Sequence, residues 1–259
     1  MENRIISIEL FDGQIIRFTL KAPKANVLDS VMMEELQTHL NALAGSTHVK
    51  MIQFIGAGDH FSFGASVAEH TKENAPQMLK QFHQLFYTLA DLGIPSAALI
   101  SGQCLGGALE LALACNFMFI DGTARLGQPE INLGVFAPPA SVILPLKVGQ
   151  ARADDLLLTG RSLKPEEALN WGLVTHAYSD RQDMVNGVDQ WCKKNIITKS
   201  ASSLRFAVKA ARWKFNRRLK KQLHQLEEFY IHELMESHDA NEGIEAFLQR
   251  RDPIWEGKE

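Results

Sequence analysis

The first half of the chain alternates between short apolar runs and segments with apolar residues at helical spacing. Residues 5–10 and 14–20 are rich in β-branched and aromatic residues, and Asp12-Gly13 between them favours a tight hairpin. Asp29 is placed to cap a helix whose apolar positions recur every three to four residues. The same reasoning predicts a buried strand at 50–55, a helix from 74 to 93, a strand at 96–100 and an Ala/Leu-rich helix at 105–115.

This alternation of strand and helix is typical of β-α-β units with right-handed crossovers. Beyond about Pro138 helices dominate, apart from one strand expected at 173–178. Helices are predicted at residues 151–158, 165–171, 182–196, 201–215, 217–237 and 241–250. The predicted fold class is therefore α/β, with a core domain at 1–195 and a helical region at 196–259.

Composition limits the classes of protein to be considered. At 46% hydrophobic and 22% charged residues, the 259-residue chain is typical of a globular enzyme. Three cysteines without CxxC spacing predict neither a disulfide framework nor a zinc site, and they fit a reducing cytoplasm. The charged N-terminus is unlike a signal peptide, and the apolar run at 109–120, interrupted by Glu110 and Asn116, is too short for a membrane span. We therefore expect a cytoplasmic protein without membrane association or a metal.

The segment SGQCLGGALE, at 101–110, carries the first candidate chemistry. It places Gly106 and Gly107 at the first turn of a predicted helix, where backbone N–H groups lack intrahelical acceptors and can bind a negative oxygen. Glu110 shares a face with Gly107 and lies in an otherwise apolar helix, so we expect it in the interior, where a carboxylate is a functional candidate. The alternative is that the glycines only allow close helix packing and Glu110 faces solvent.

A second acid, Glu130, lies in a turn-rich stretch at 126–134 with apolar neighbours. Taken alone, it is better explained as a loop carboxylate that caps a backbone N–H. The loop at 58–66 adds context because it follows the strand predicted at 50–55, and α/β folds bind ligands in loops after parallel strands. These segments are therefore candidates for one ligand site.

Three motifs in these segments resemble the enoyl-CoA hydratase (crotonase) superfamily in order and spacing. They are FSFGAS at 61–66, GQCLGGALE at 102–110 and GQPEINLG at 127–134. The resemblance extends from residue 20 to residue 253. It implies a crotonase-like β-β-α spiral core with a C-terminal helical trimerisation region, and a homo-oligomer that is a trimer or a dimer of trimers.

In this superfamily the thioester carbonyl accepts hydrogen bonds from two backbone N–H groups, which by motif position would be those of Ala65 and Gly107. Both acids of a true hydratase are present, as Glu110 and Glu130, which favours water addition over double-bond isomerisation. The resemblance implies that Glu110 orients and deprotonates water, while Glu130, protonated in an apolar setting, acts as the acid. It implies an acyl-CoA substrate, with CoA as part of the substrate and no separate cofactor.

A finer resemblance, at 60–70, 134–141 and 200–212, is to hydratases of a cyclic conjugated dienoyl-CoA in anaerobic aromatic degradation. Where common crotonases have a glycine-rich run after the second acid, this chain has FAPPA at 136–140. The exchange removes backbone flexibility and adds bulk beside Glu130. We therefore expect a flat alicyclic acyl group, with a pocket formed by Val67, Phe136 and Pro138. A short-chain enoyl-CoA hydratase and an enoyl-CoA isomerase are the alternatives within enzymes.

For the CoA moiety, the resemblance implicates residues in the N-terminal half together with two residues contributed by a neighbouring subunit. The first group is Lys24, Gly64 and Ser66, and the second is Phe247 and Arg250. Arginine suits phosphate recognition because its planar guanidinium donates two parallel hydrogen bonds.

A basic stretch at 193–221 contains eleven Lys or Arg and neither Asp nor Glu. This stretch supports an alternative function from another class, that of an RNA-binding relative of the superfamily. Because aromatic residues are few in the stretch and charges at helical spacing commonly form a solvated face, we do not expect nucleic-acid binding as the main function. We interpret His60, His70 and His83 as hydrogen-bonding residues rather than as pocket residues.

Overall fold

The computed structural model describes residues 3–23 and 25–258. The strands are β1 (Ile5–Leu10), β2 (Ile15–Leu20), β3 (Met51–Gly56), β4 (Ser96–Ile100), β5 (Gln103–Leu105), β6 (Phe117–Ile120), β7 (Arg125–Gly127), β8 (Ser162–Leu163) and β9 (His176–Ala177). The helices are α1 (Ser30–Ala42), α2 (Ala75–Leu92), α3 (Gly107–Ala114), α4 (Pro138–Val148), α5 (Gln150–Thr159), α6 (Pro165–Asn170), α7 (Arg181–Cys192), α8 (Ala201–Ala211), α9 (Trp213–His232) and α10 (His238–Gln249).

The larger sheet has six strands in the order β1-β2-β3-β4-β6-β9. Only the β1–β2 pair in this sheet is antiparallel, and it is the predicted hairpin, closed by the Gln14 N–H donating to the Phe11 carbonyl at 3.1 Å. The remaining pairs are parallel, and β3 and β4 are buried along their whole length, as expected for strands covered on both faces. The predicted α/β fold class is therefore confirmed.

A second sheet, in the order β5-β7-β8, was not predicted from the sequence. Its strands are two or three residues long, too short to show the alternation by which a strand is identified. The parallel pairing of β5 with β7 sets Leu105 beside Gly127, so the Gly106 N–H donates to the Gly127 carbonyl at 2.9 Å. This sheet therefore brings the glycine pair next to the segment that carries Glu130.

Helix α4 was also missed, because three prolines within eleven residues resemble a break in a helix. Pro138 and Pro139 occupy its first two positions, where the N–H that proline lacks would have no intrahelical acceptor. The break predicted between the helices at 201–215 and 217–237 lies instead at Arg212, between α8 and α9, and α9 ends at His232. Two further predictions were too long. The strand at 173–178 is reduced to β9, and the helix at 182–196 ends with α7 at Cys192, where a π-helical turn, Lys193–Ile197, follows.

The C-terminal helices pack onto the core, with α9 against both α2 and α4. Three cations of the basic stretch contribute to this packing. Arg205 donates to the Val49 carbonyl at 3.0 Å, Arg212 donates to the Cys115 carbonyl at 3.4 Å, and Lys220 pairs with Asp91 at 2.5 Å. Part of the basic stretch therefore holds helices in place. The domain boundary at 195/196 and the trimerisation role of this region stay predictions.

Among the helices of the described residues, none combines the length and the apolar character that crossing a membrane requires.

Candidate active site

A cavity of about 70 Å³ lies between α2, α3, α4 and α9 and the loop after β3. Eight of the predicted site residues line it, namely Gly64, Ala65, Val67, Gly107, Glu110, Glu130, Phe136 and Pro138. These eight residues come from four separate stretches of sequence. The structure therefore brings the predicted catalytic, oxyanion-hole and acyl-pocket residues to one place.

Two backbone N–H groups of residues that line the cavity are free to bind an oxygen. The loop at Ala65 is held by a parallel bridge, in which the Leu28 N–H donates to the Gly64 carbonyl at 2.9 Å and the Ser66 N–H donates to the Leu28 carbonyl at 3.2 Å. Gly107 is the first residue of α3. Within the described residues, neither the Ala65 nor the Gly107 N–H has an acceptor. A Cβ added to Gly107 would lie 3.3 Å from the Ala65 nitrogen, so the two residues face each other.

Gly106 has a different role from its neighbour. Its backbone has φ 51° and ψ −128°, a conformation that residues with a Cβ rarely adopt. A Cβ at this position would also lie 2.6 Å from Oε1 of Glu130. Gly106 therefore admits the second carboxyl to the cavity, and close helix packing is not the whole reason for the glycine pair.

Glu110 is carried into the interior by α3, where its exposed fraction is 3%, so the prediction that it is buried is confirmed. Its Oε1 accepts a hydrogen bond of 2.8 Å from the Ala140 N–H. Because Pro138 and Pro139 have no N–H, Ala140 is the first donor at the N-terminus of α4, and this donor points at the acid. The run at 136–140 was expected to act beside Glu130, and it also holds Glu110.

Glu130 lies in a short 3₁₀ turn, Pro129–Leu133, directly after β7. The buried Gln128 side chain faces it, and with the Gln128 amide nitrogen towards the acid, Nε2 lies 3.0 and 2.9 Å from the two carboxyl oxygens. Gln128 therefore orients the carboxyl through both oxygens. The sequence contains this glutamine two residues before the acid, but nothing in the local pattern assigned it a role.

The surroundings of both carboxyls favour their protonated forms. Burial is the main cause that raises the pKa of Glu110 well above its usual range, the charge of Glu130 adds to it, and the Ala140 hydrogen bond opposes it. Burial raises the pKa of Glu130 to about 7. Two acids that interact this closely titrate as one unit. The pair therefore holds a proton at neutral pH, and the site offers both a proton donor and a proton acceptor.

Tyr230, which sequence reasoning did not single out, lines the same cavity from α9. It is 1% exposed, and its hydroxyl has no hydrogen-bond partner among the described residues. Burial, followed by the charges of Glu130 and Glu110, raises the pKa of this phenol. Its place in an amphipathic helix marks it as a core residue, so local sequence offered no sign of contact with the site.

The three histidines all take part in hydrogen bonds, as interpreted from the sequence. The Gln103 N–H donates to Nδ1 of His60 at 3.2 Å, and Nδ1 of His83 lies 2.5 Å from a carboxyl oxygen of Glu227. Nδ1 of His70 lies 2.7 Å from the Ser66 carbonyl, but His70 also lines the cavity. The interpretation was therefore incomplete for His70.

The residues predicted to bind CoA are not gathered in the same way. Gly64 lines the cavity, whereas Ser66 does not. Phe247 and Arg250 lie at the C-terminal end of α10, are exposed and do not line the cavity, and their contribution to a neighbouring subunit stays a prediction. Lys24 lies outside the described residues. Over residues 3–23 and 25–258 there is no cluster of three His, Cys, Asp or Glu side chains suited to hold a metal ion.

Comparison with known proteins gives consistent matches over nearly the whole chain. The family model for enoyl-CoA hydratase/isomerase matches residues 11–258. The chain is 43% identical to cyclohexa-1,5-dienecarbonyl-CoA hydratase of Thauera aromatica over 95% of both chains. It is 34% identical to a probable enoyl-CoA hydratase of Bacillus subtilis (strain 168), over 95% of this chain and 97% of that protein.

Solved structures agree with this family in fold. An enoyl-CoA hydratase from Mycobacterium avium subsp. paratuberculosis K-10 superposes with a TM-score of 0.85 at 25% identity, over 97% of this chain and 98% of that one. An enoyl-CoA hydratase from Bacillus halodurans gives a TM-score of 0.86 at 21% identity, over 94% and 99%. The predicted crotonase-like fold is therefore confirmed.

Proposed function

Because the chain belongs to the enoyl-CoA hydratase/isomerase family and is a hydro-lyase acting on an acyl-CoA, we propose that it hydrates a conjugated cyclic dienoyl-CoA. The proposed reaction converts cyclohexa-1,5-diene-1-carbonyl-CoA to 6-hydroxycyclohex-1-ene-1-carbonyl-CoA, as a step in anaerobic aromatic degradation. One observation carries the proposal. The buried carboxyl of Glu110 and the half-buried carboxyl of Glu130 lie beside the Gly106-Gly107 pair in a cavity lined by Phe136 and Pro138. The relative from Thauera aromatica supports the choice of acyl group.

The shape of the cavity supports a compact acyl group. Aromatic and proline side chains fill the space beside the acids, and they leave only about 70 Å³. Binding pockets for larger ligands are usually several times this volume, about 300 Å³ or more. A flat ring that rests against Phe136 and Pro138 needs less rearrangement of these walls than a long acyl chain.

The oxyanion end would bind the thioester. When water attacks the β-carbon of the ring, negative charge moves onto the thioester oxygen, and the N–H groups of Ala65 and Gly107 are placed to donate to it. These donors are fixed before the reaction by β-bridging and by the start of α3. They therefore stabilise the charge without reorganisation.

The acid end would move the protons. The reactive form of the pair carries its one proton on Glu130, which leaves Glu110 ionised. One O–H bond of water breaks as the C–O bond forms at the β-carbon, and Glu110 takes that proton. Glu130 gives its proton to the far carbon of the diene, and the remaining double bond lies between the α-carbon and its other ring neighbour. The pair holds the same number of protons before and after, and transfer from Glu110 to Glu130 restores the starting state.

No separate cofactor is needed for this reaction, since CoA is part of the substrate. We propose further that the chain assembles as a homotrimer or a dimer of trimers and acts in the cytoplasm. Exposed Phe247, Leu248, Ile254 and Trp255, close together at the C-terminal end, support an interface there.

The proposal is tested by presenting crotonyl-CoA, cyclohex-1-ene-1-carbonyl-CoA and cyclohexa-1,5-diene-1-carbonyl-CoA side by side and following hydration. We expect the cyclic diene to have the highest kcat/KM. In Phe136→Ala, which removes one wall of the pocket, the preference for the ring over crotonyl-CoA should fall by about tenfold, the usual scale for one apolar contact in a specificity pocket.

Phe206→Ala is the matched control, because Phe206 is 71% exposed and does not line the cavity. It should leave the order of substrates unchanged. A wild-type preference for crotonyl-CoA would contradict the cyclic substrate and favour a short-chain enoyl-CoA hydratase. Conversion of a 3-enoyl-CoA to a 2-enoyl-CoA without net hydration would favour an isomerase.

A further inference from the structure

The Tyr230 hydroxyl is a buried polar group that the protein leaves unpaired. The side chain is 1% exposed and lines the cavity that holds both carboxyls. Its oxygen has no hydrogen-bond partner within the described part of the chain. Burying a hydroxyl without a partner destabilises a folded protein, so such a group inside a ligand site indicates a partner supplied by the ligand.

The position of the Tyr230 ring is well defined by its neighbours. Phe136 meets it edge-on, with ring centroids 5.2 Å apart and planes inclined by 66°. Less than one helical turn earlier in α9, Glu227 bonds to the fully buried His83 of α2, at 2.5 Å. This pair connects α9 to α2. The phenol is therefore positioned by its packing against Phe136 and by the hydrogen bond that connects α9 to α2.

The chemistry of the phenol makes it a hydrogen-bond donor. Burial and the nearby carboxyls raise its pKa, so the phenol keeps its proton and does not act as a base. The acids already have donors of their own, Ala140 for Glu110 and Gln128 for Glu130. The thioester oxygen has the two amides of Ala65 and Gly107. The acceptor that remains for Tyr230 is an oxygen that lies among the two acids and the phenol.

We propose that the Tyr230 hydroxyl donates a hydrogen bond to the oxygen that hydration adds to the substrate, first as water and then as the ring alcohol. The inference rests on the proposed function, since it assigns a third contact to the same reaction. The phenol keeps its own proton throughout, and the proton that leaves water still goes to Glu110. Tyr230 thereby fixes the direction from which water reaches the β-carbon.

The first test compares Tyr230→Phe, which removes a single oxygen, with wild type. We expect kcat for hydration to fall by about 10- to 100-fold, the scale for loss of one hydrogen bond in a reacting complex, while KM changes little. Tyr87→Phe is the control, because Tyr87 is half-buried in α2 and does not line the cavity. It should keep the wild-type kcat.

Thermal unfolding separates a ligand contact from a structural one. Because the Tyr230 hydroxyl bonds to no described residue, Tyr230→Phe without ligand should melt at or above the wild-type temperature. A lower melting temperature together with an unchanged kcat would assign the hydroxyl a structural role and overturn the inference. An unchanged kcat at an unchanged melting temperature would overturn it as well.

A binding experiment makes the result independent of turnover. Calorimetry compares cyclohexanecarbonyl-CoA with its 2-hydroxy derivative, which carries the alcohol on the β-carbon. Wild type should bind the hydroxy ester about tenfold more tightly, and Tyr230→Phe should lose that preference while binding the unsubstituted ester as before. If wild type hydrates none of the three unsaturated esters, the proposed function fails, while the hydroxyl preference still decides the role of Tyr230. An equal preference in both proteins would overturn that role.

Discussion

The two parts of the proposed site, the oxyanion end and the acid end, are built from different kinds of groups. The oxyanion end consists of backbone, the N–H groups of Ala65 and Gly107, held by a β-bridge and by the start of α3. The acid end consists of the side chains of Glu110, Glu130 and Tyr230, which come from three elements separated in sequence. Backbone donors are insensitive to side-chain chemistry unless a Cβ blocks them, whereas every group at the acid end can be removed by one substitution.

The two ends also differ in how their electrostatics depend on pH. The oxyanion end presents fixed dipoles whose strength does not change with pH. At the acid end, burial raises the pKa of both carboxyls, so the charge there depends on pH near neutrality. Substitutions at the two ends should therefore be distinguishable by the pH dependence of the remaining activity.

The largest effect on activity is expected from removing either carboxyl of the acid end. Glu110→Gln and Glu130→Gln should each lower kcat by about 10²–10⁴-fold, the range for removal of a general acid or base, and should still bind the CoA ester. Steady-state hydration and calorimetry with cyclohexanecarbonyl-CoA measure the two quantities. Glu228→Gln, at an exposed position of α9, is the control. Near-full activity in either active-site variant would contradict a mechanism that uses both carboxyls.

Glycine-to-alanine substitutions at the two adjacent positions should disrupt one end each, Gly107→Ala the oxyanion end and Gly106→Ala the acid end. In Gly107→Ala the new methyl lies 3.3 Å from the Ala65 nitrogen and obstructs the oxyanion end, so kcat/KM should fall by about 10²–10³-fold with the same pH profile. In Gly106→Ala the methyl lies 2.6 Å from Glu130 Oε1 and displaces that acid. Its loss should be smaller, about 10–10²-fold, and the pH profile should change.

Gly45→Ala controls for backbone strain in this comparison. Gly45 also has a positive φ, 76°, but a Cβ there meets no atom within 4 Å. It should lower stability by about 1 kcal/mol and leave activity unchanged. If Gly106→Ala and Gly107→Ala changed the pH profile in the same way, the separation into an oxyanion end and an acid end would be wrong.

The smallest effect concerns stability. A carboxyl whose pKa is raised in the folded state, such as Glu110, keeps its proton at pH values at which the same carboxyl in the unfolded chain has lost it. The stability of the folded protein therefore falls as the pH rises from about 4.5 through the folded-state pKa. Glutamine at position 110 does not titrate and can still accept from the Ala140 N–H. Glu110→Gln should therefore be more stable than wild type at pH 8, by about 1 kcal/mol or more, and no more stable at pH 4.5.

Urea unfolding of both proteins across this pH range measures the difference. The advantage of Glu110→Gln should grow from acidic to alkaline pH. A difference that is the same at every pH would mean that the ionisation of Glu110 is not linked to folding.

Several elements of this fold could be predicted because their signals are local. The hairpin at Asp12-Gly13, the helix capped by Asp29 and the buried strand β3 each depend on neighbouring residues, and each is found. The three-strand sheet and α4 could not be predicted in this way. β5 and β7 are stabilised by pairing with each other, and α4 begins with prolines that also occur in loops.

The features of the site can also be separated into those with a local sequence signal and those that depend on distant segments. The order of amino acids alone is enough to select the glycine pair and Glu110, because free N–H groups at a helix start and a carboxyl in an apolar helix have chemical meaning wherever they occur. Glu130 is selected only through the order and spacing of the three family motifs. Folding decides which oxygen Ala140 and Gln128 contact, and that Tyr230 meets acids from the middle of the chain. Burial, pKa and the pairing of polar groups depend on segments that are distant in sequence, so no local pattern contains them.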